Sequence, residues 1–442
     1  MNMNKYFQEK PKIFMQGAIL PLILVTALFF LWGIPNNLND VLIKQFMKSF
    51  EITRFKAGLV QSAFYMGYFI LSMPAALIMR KYSYKTGLVT GLFLYSTGTI
   101  LFWPAAIVGK YGFFLFALFV IASGLAFLET GANPFIASLG DPRTSERRLN
   151  FSQAFNPLGS IAGVLIGTIF IFSGIEHSAV EINNLKLAGT YDVYLQHETM
   201  RVVKPYLVLG AFVFIWALLI IRTRFPKIAD EAQNENERQK GKFKDLFKYP
   251  HFIQGVLAQF FYVGAQVGTW SYFIQYVQDY TGSPEKVAGY FLTGTLVAFG
   301  VGRFSATYLM KFIKPNKLMG IYGCINIILV GIGVIYPGWV GLWAVFLTSF
   351  FMSLMFPTIF ALGIKGLGPN TKIGGSMIIM AIVGGAVFTP LMGLVFEFTR
   401  SMAMAMLIPL ICYSFITYYA FIGSQMINIS LEEINHEPVI SH

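Results

Sequence analysis

Only two cysteines occur in 442 residues, Cys324 and Cys412, and both fall inside apolar runs. That excludes a disulfide scaffold or a thiolate cluster, and both read as small packing residues. Charge is scarce as well: Asp, Glu, Lys and Arg together make up 12% of the chain, about half the share of a soluble domain. A soluble fold of this size is excluded. The five histidines (His177, His197, His251, His436 and His442) fall in connecting segments, at a span edge or in the tail. No metal cluster is therefore expected inside an apolar run. The HExxH, GxSxG and GxxxxGK[ST] motifs are all missing, which argues against a hydrolase or an ATP-driven pump. The expectation is a protein that is not an enzyme, with no cofactor and no metal.

What the chain has is apolar length. Hydrophobic residues make up 55% of it, and the mean hydropathy is +0.61. Runs sized for a bilayer, where a spanning helix needs about 20 residues, lie near 17–40, 57–79, 86–108, 112–138, 151–174 and 205–222. Six more lie near 252–279, 287–310, 318–337, 339–364, 374–396 and 402–424. The expected fold is an all-α membrane protein of twelve transmembrane helices. The first run is too long for a removable signal peptide and lacks a small-residue cleavage site, so it reads as an uncleaved span.

The net charge of +12 is spread between these runs rather than gathered in one patch, which argues against a nucleic-acid partner. Basic residues precede span 1 (Lys5, Lys10, Lys12) and follow span 2 (Arg80, Lys81, Lys85) and span 4 (Arg143, Arg147, Arg148). Others follow spans 6, 8 and 10. Cytoplasmic loops carry this excess, so these loops and both termini are expected in the cytoplasm. One loop breaks the pattern: Lys44, Lys48, Arg54 and Lys56 fall on the expected outer side, and the sequence offers no reason.

The only long charged connector within the chain, 223–250, divides six spans from six. The expected organisation is an N-terminal half over 1–222, a cytoplasmic linker over 223–250, and a C-terminal half with a short tail over 251–442. A faint repeat agrees: Ala57-Gly58 opens span 2 and Ala288-Gly289 opens span 8, while Met79-Arg80 and Met310-Lys311 close them, at one offset of 231 residues. Parallel six-helix repeats with a site at their interface are a known transporter plan.

Polar residues inside the apolar runs mark that site. Glu129 lies deep in span 4 with no basic residue nearby in sequence. An ionised carboxylate there costs at least a few kcal/mol, so the group is neutral, paired, or faces a water-filled cavity. Asn133 stands four residues on, sharing a helix face, and Pro134 follows. Span 1 is expected to end in Pro35-Asn36-Asn37-Leu-Asn39-Asp40, crowding polar side chains at a helix end. Span 5 carries Gln153, Asn156 and Ser160 as one stripe, and span 7 carries Gln259, Tyr262, Gln266 and Trp270. Amides, a phenol and an indole suit a sugar, with hydroxyls to pair and a C–H face to stack on rings. Such polar side chains also serve simply to hold helices together, but stripes in both halves favour a polar cavity. Arg303 in span 8 is an intramembrane cation that either neutralises one of the acids or reaches for the membrane surface.

These segments resemble the major facilitator superfamily, specifically its bacterial branch of fucose–galactose–glucose/proton symporters. The resemblance covers nearly the whole chain. It is carried by Asn36-Asn-Leu-Asn-Asp40, Ala57-Gly-Leu-Val-Gln-Ser-Ala-Phe-Tyr65, Leu128-Glu-Thr-Gly-Ala-Asn-Pro-Phe135, Tyr262-Val-Gly-Ala-Gln266 with Trp270-Ser-Tyr, and Pro357-Thr-Ile-Phe-Ala-Leu-Gly-Ile-Lys365. It implies a sugar importer in the bacterial inner membrane, acting as a monomer, with Asp40 and Glu129 as its protonatable acids. It also implies Gln153 and Asn156 in the sugar cavity; Asn36, Asn37, Asn133, Tyr262, Gln266, Trp270 and Phe356 are expected beside them as substrate contacts. L-fucose is the first expected substrate, with glucose, galactose and N-acetylglucosamine next, and sodium coupling and a proton-driven drug exporter as rivals. Phe356 stands where the branch's fucose carriers have a cavity tyrosine, which bears on which sugar fits.

Overall fold

Backbone N–H and C=O groups inside a bilayer have no water to pair with, so each apolar run must satisfy them internally as a helix. The computed structural model describes residues 19–139, 148, 151–226, 243–367 and 370–425, and it is helical throughout, with no strand among those residues. Twelve long helices follow one another among the described residues. In the first six places are Ile19–Phe50, Arg54–Lys81, Tyr84–Val108, Tyr111–Ser138, Phe151–Ile171 and Tyr191–Arg222. Then come Pro250–Thr281, Glu285–Leu309, Pro315–Ile335, Trp339–Ile364, Gly374–Thr399 and Met402–Gly423. Eleven are long and apolar enough to cross a membrane. The other, span 7, is as long as span 1 at 32 residues, but five glutamines dilute it. Large apolar side chains such as Leu77, Trp103, Ile215, Phe304 and Ile411 stand exposed around the perimeter, as a lipid-facing surface requires.

Two expected boundaries are corrected. Span 1 does not stop at Asp40 but runs on to Phe50. Pro35 is accommodated inside the helix, and Val41, Leu42, Ile43 and Phe46 are buried against neighbours. Asp40 is thus in mid-helix, not at a helix end. Span 6 starts at Tyr191 rather than near 205, and a short helix, Ala179–Leu187, precedes it with a capping box at Ser178 and Glu181. Its sequence is too polar to register as a span. The linker centre 227–242, Asn150 at the start of span 5, Gly368, Arg143, Arg147 and both tails lie outside the described residues.

Spans 1 to 6 pack mainly on one another, as do spans 7 to 12. The two bundles meet through span 2 on span 11, span 5 on span 8, and span 1 beside span 7. Advancing each partner by six spans returns the same set, the mark of a two-fold repeat. Glycines permit the tightest contacts within each bundle. A Cβ at Gly159 would fall on the Phe30 carbonyl oxygen, one at Gly163 on that of Ile34, and one at Gly384 on that of Phe260. Small residues four apart let helix backbones touch in this way. Gly163→Ala is expected to destabilise the protein by about 1–3 kcal/mol through overpacking. Thermal unfolding in detergent checks it, with Gly112→Ala, where a Cβ meets nothing within 4 Å, as the unaffected control.

Candidate functional site

Asp40 projects from the middle of span 1 and is 2% exposed. Its Oδ2 accepts from Asn37 Nδ2 at 3.2 Å, one turn earlier. Its Oδ1 accepts from Gln61 Nε2 on span 2 and from Ser271 Oγ on span 7, both at 2.9 Å. Gln61 Nε2 also donates to Ser271 Oγ at 2.9 Å. Three neutral donors surround the carboxyl, and no ion pair joins it among the described residues. Asn36 faces elsewhere and accepts from the Tyr68 hydroxyl at 3.5 Å.

Glu129 is on span 4, closer to the linker end of the molecule, and is partly exposed. Its carboxyl bonds no described residue. Asn133 Nδ2 donates instead to the Glu129 backbone carbonyl at 3.1 Å, which turns the Asn133 Oδ1 outward to accept from Gln153 Nε2 at 3.2 Å. Asn156 Nδ2 donates to the Phe29 carbonyl at 3.3 Å, within the close contact of spans 1 and 5. Asn133 thus touches Glu129 through its backbone carbonyl, on the shared face the spacing gives, and reaches Gln153 on the neighbouring span, while Asn156 is partly committed to helix packing.

The second bundle contributes less freely. Tyr262 is fully buried, with its hydroxyl unpaired among the described residues, and its ring meets Phe356 edge-on at 6.1 Å. Trp270 is 8% exposed and donates to Ser349 Oγ at 3.0 Å. Gln266 is partly exposed. Arg303 does not meet either acid: its Nε donates to the Ser353 carbonyl at 3.4 Å, and its guanidinium lies 5.0 Å from the Phe299 ring centre. The expectation that it neutralises a carboxyl is corrected, since Ser353 and Phe299 on its own bundle hold it.

The end opposite the linker is closed by charges from both bundles. Arg54 makes a two-pronged bond to Asp279 at 2.6 and 2.8 Å, while its guanidinium lies 3.7 Å from the Phe396 ring centre. Its carbonyl accepts from the Tyr272 hydroxyl at 2.7 Å. Lys48 Nζ lies 3.2 Å from Glu198 and 3.5 Å from Glu285, and Phe55 N donates to Glu397 at 3.1 Å. A cavity of about 440 Å³ sits at this rim, lined among others by Lys44, Glu176 and Gln278. Two of the basic residues that break the charge pattern thus have a use: Lys48, which also meets Glu198 of its own bundle, and Arg54 meet the acids Glu285 and Asp279 of the other bundle. Asp279 and Glu285 were not singled out from the sequence, yet a signal existed. They lie 231 residues beyond Lys48 and Arg54, so the repeat places opposite charges at equivalent positions.

Twelve membrane helices among the described residues, in two bundles that meet at the buried Asp40, define a membrane carrier. The chain belongs to the Major Facilitator Superfamily, whose sequence profile matches residues 22–388. It is 43% identical to the L-fucose-proton symporter of Escherichia coli K12 over 93% of this chain and 94% of that one. With a Brucella abortus glucose/galactose transporter it shares 34% identity over 91% and 93% of the two chains. The crystal structure of the transporter FucP in the outward conformation, 43% identical, covers 93% of this chain and all of its own with a TM-score of 0.69.

Proposed function

We propose that this protein is a proton-coupled sugar importer of a bacterial inner membrane, that L-fucose is its sugar, and that it acts as a monomer. The observation that carries the reading is the identity with the Escherichia coli L-fucose-proton symporter along nearly the whole chain. On this reading residues 1–222 and 251–442 rock about a central cavity, joined by a cytoplasmic linker over 223–250. The termini and the linker end face the cytoplasm, as the basic loops support. The rim of Arg54, Asp279, Lys48 and Glu285 then closes the path from outside.

Glu129 and Asp40 carry the coupling. A proton taken up from outside removes a charge that is costly to bury, and sugar enclosed by both bundles then travels with it. Opening to the cytoplasm hydrates the acid and lets the proton leave. Gln153 and Asn133 offer one amide face to sugar hydroxyls, with Asn36, Asn37 and Asn156 on the same side. Across from them Trp270, Gln266, Tyr262 and Phe356 supply rings and a phenol. Gln153→Ala is expected to raise the Kd for L-fucose about tenfold, the effect of losing one hydrogen bond at the upper end of its range. Calorimetry with purified protein checks this, and an unchanged Kd would remove Gln153 from the cavity.

The direct test is sugar-induced pH change in liposomes holding the purified protein. L-fucose is expected to alkalinise the outside, and Glu129→Gln to abolish the signal. A signal with D-galactose or D-glucose alone selects the second reading, a glucose/galactose symporter. Phe356 bears on that choice, because its ring offers no hydroxyl to a sugar. The buried hydroxyl of Tyr262, whose ring meets Phe356 edge-on and which has no partner among the described residues, is a group beside it that can offer one.

A further inference from the structure

The hydrogen bond between Asp40 and Ser271 joins two positions 231 residues apart. That is the offset relating Ala57-Gly58 to Ala288-Gly289 and Met79 to Met310. Equivalent positions of a two-fold repeat touch each other only beside the axis that relates them. The contact therefore stands on the path between the bundles, ten residues inside the closed-end termini of both helices, Phe50 and Thr281, or about 15 Å at the helical rise. A solute entering along the axis from that end must part this pair.

We propose that Ser271 is the positioning residue through which the second bundle responds to the charge on Asp40. The inference rests on the reading of Asp40 as a proton carrier. Of its three hydrogen-bond donors, Asn37 and Gln61 belong to the first bundle and travel with it; only Ser271 travels with the second. Tyr65, the titratable side chain that feels the Asp40 charge from span 2, also moves with the first bundle. An ionised carboxylate accepts the Ser271 proton in a charge-assisted bond, roughly twice as strong as a neutral one. A protonated acid offers that site only a neutral bond. The strength of this tie across the axis therefore follows the proton on Asp40. The rim ion pairs nearer the surface have no such dependence on Asp40.

The experiment compares Ser271→Ala and Ser271→Thr with the unaltered protein in liposomes, measuring gradient-driven sugar accumulation, its pH profile, and sugar exchange at equal pH. Ser271→Ala is expected to lower accumulation about tenfold, the loss of one hydrogen bond to a charged group, and to flatten its pH profile. Exchange is expected to change less than accumulation, and Ser271→Thr, which keeps the hydroxyl, restores coupling. The inference is overturned if Ser271→Ala accumulates sugar with an unchanged pH profile. It is equally overturned if accumulation and exchange fall together and threonine restores neither. An unaltered protein that moves sugar without protons overturns the reading of Asp40 and this inference with it, a result distinct from either of the others.

Discussion

Replacing Glu129 by Gln is expected to reduce gradient-driven uptake to simple equilibration of sugar across the membrane, while exchange continues. The substitution keeps size and shape and removes the negative charge and the ability to exchange a proton. Folding is not at risk, because the Glu129 carboxyl bonds no described residue and Asn133 is anchored on the backbone carbonyl, which the variant retains. The bond from Gln153 to Asn133 is likewise undisturbed, so the amide face offered to sugar survives. Accumulation from an acidic exterior and exchange at equal pH are measured side by side with labelled L-fucose. Accumulation at the unaltered level would remove Glu129 from the coupling, and loss of exchange alongside it would make the residue a sugar ligand instead.

The second large effect is expected at the rim. Arg54→Ala removes a two-pronged ion pair with Asp279, whose side chains are 11% and 29% exposed, and a stacked contact with Phe396. Hydrogen bonds to charged groups contribute about 2 kcal/mol in such a setting, which corresponds to about a thirtyfold shift between states closed and open at this end. The shift is expected to slow uptake, because the carrier lingers with its outer side open. Labelling of a cysteine placed beside Asp40 reports the open state directly, and the exchanged pair Arg54→Asp with Asp279→Arg is expected to recover part of the closure. Unchanged labelling in Arg54→Ala would mean that the rim follows closure rather than sustaining it.

Much of this was legible in the sequence, for identifiable reasons. Membrane helices follow from length and hydropathy alone, so all twelve spans could be placed. Glu129 and Asn133 could be grouped because helical spacing fixes which residues share a face, and apolar surroundings make each polar side chain conspicuous, but that Gln153 meets them across two helices is visible only in the fold. Hydropathy misleads where a helix is amphipathic: Val41 to Phe50 continues span 1 although Lys44, Gln45 and Lys48 interrupt it. Spacing alone would pair Asp40 with Asn36, four residues earlier, whereas the bond comes from Asn37; Gln61 and Ser271 come from other helices, and only the folded chain brings them near. Arg303 shows the converse, since an intramembrane cation invites pairing with an acid, yet its own bundle supplies a carbonyl and a ring. The offset of 231 residues was visible in two dipeptides, and applied to Asp40, Lys48 and Arg54 it points to Ser271, Asp279 and Glu285.

The polar character of span 7 also bears on how the chain is made. Eleven spans are apolar enough to enter lipid by themselves; a helix carrying five glutamines partitions into hydrocarbon much less readily. Span 7 therefore depends on earlier helices to shelter its amides as it leaves the insertion machinery. The order of synthesis provides them, because spans 1 and 2, which meet it at Asp40 and Gln61, are already in the membrane when it emerges. A second half expressed without the first would present span 7 to bare lipid, and its insertion is the step at which biogenesis would stall.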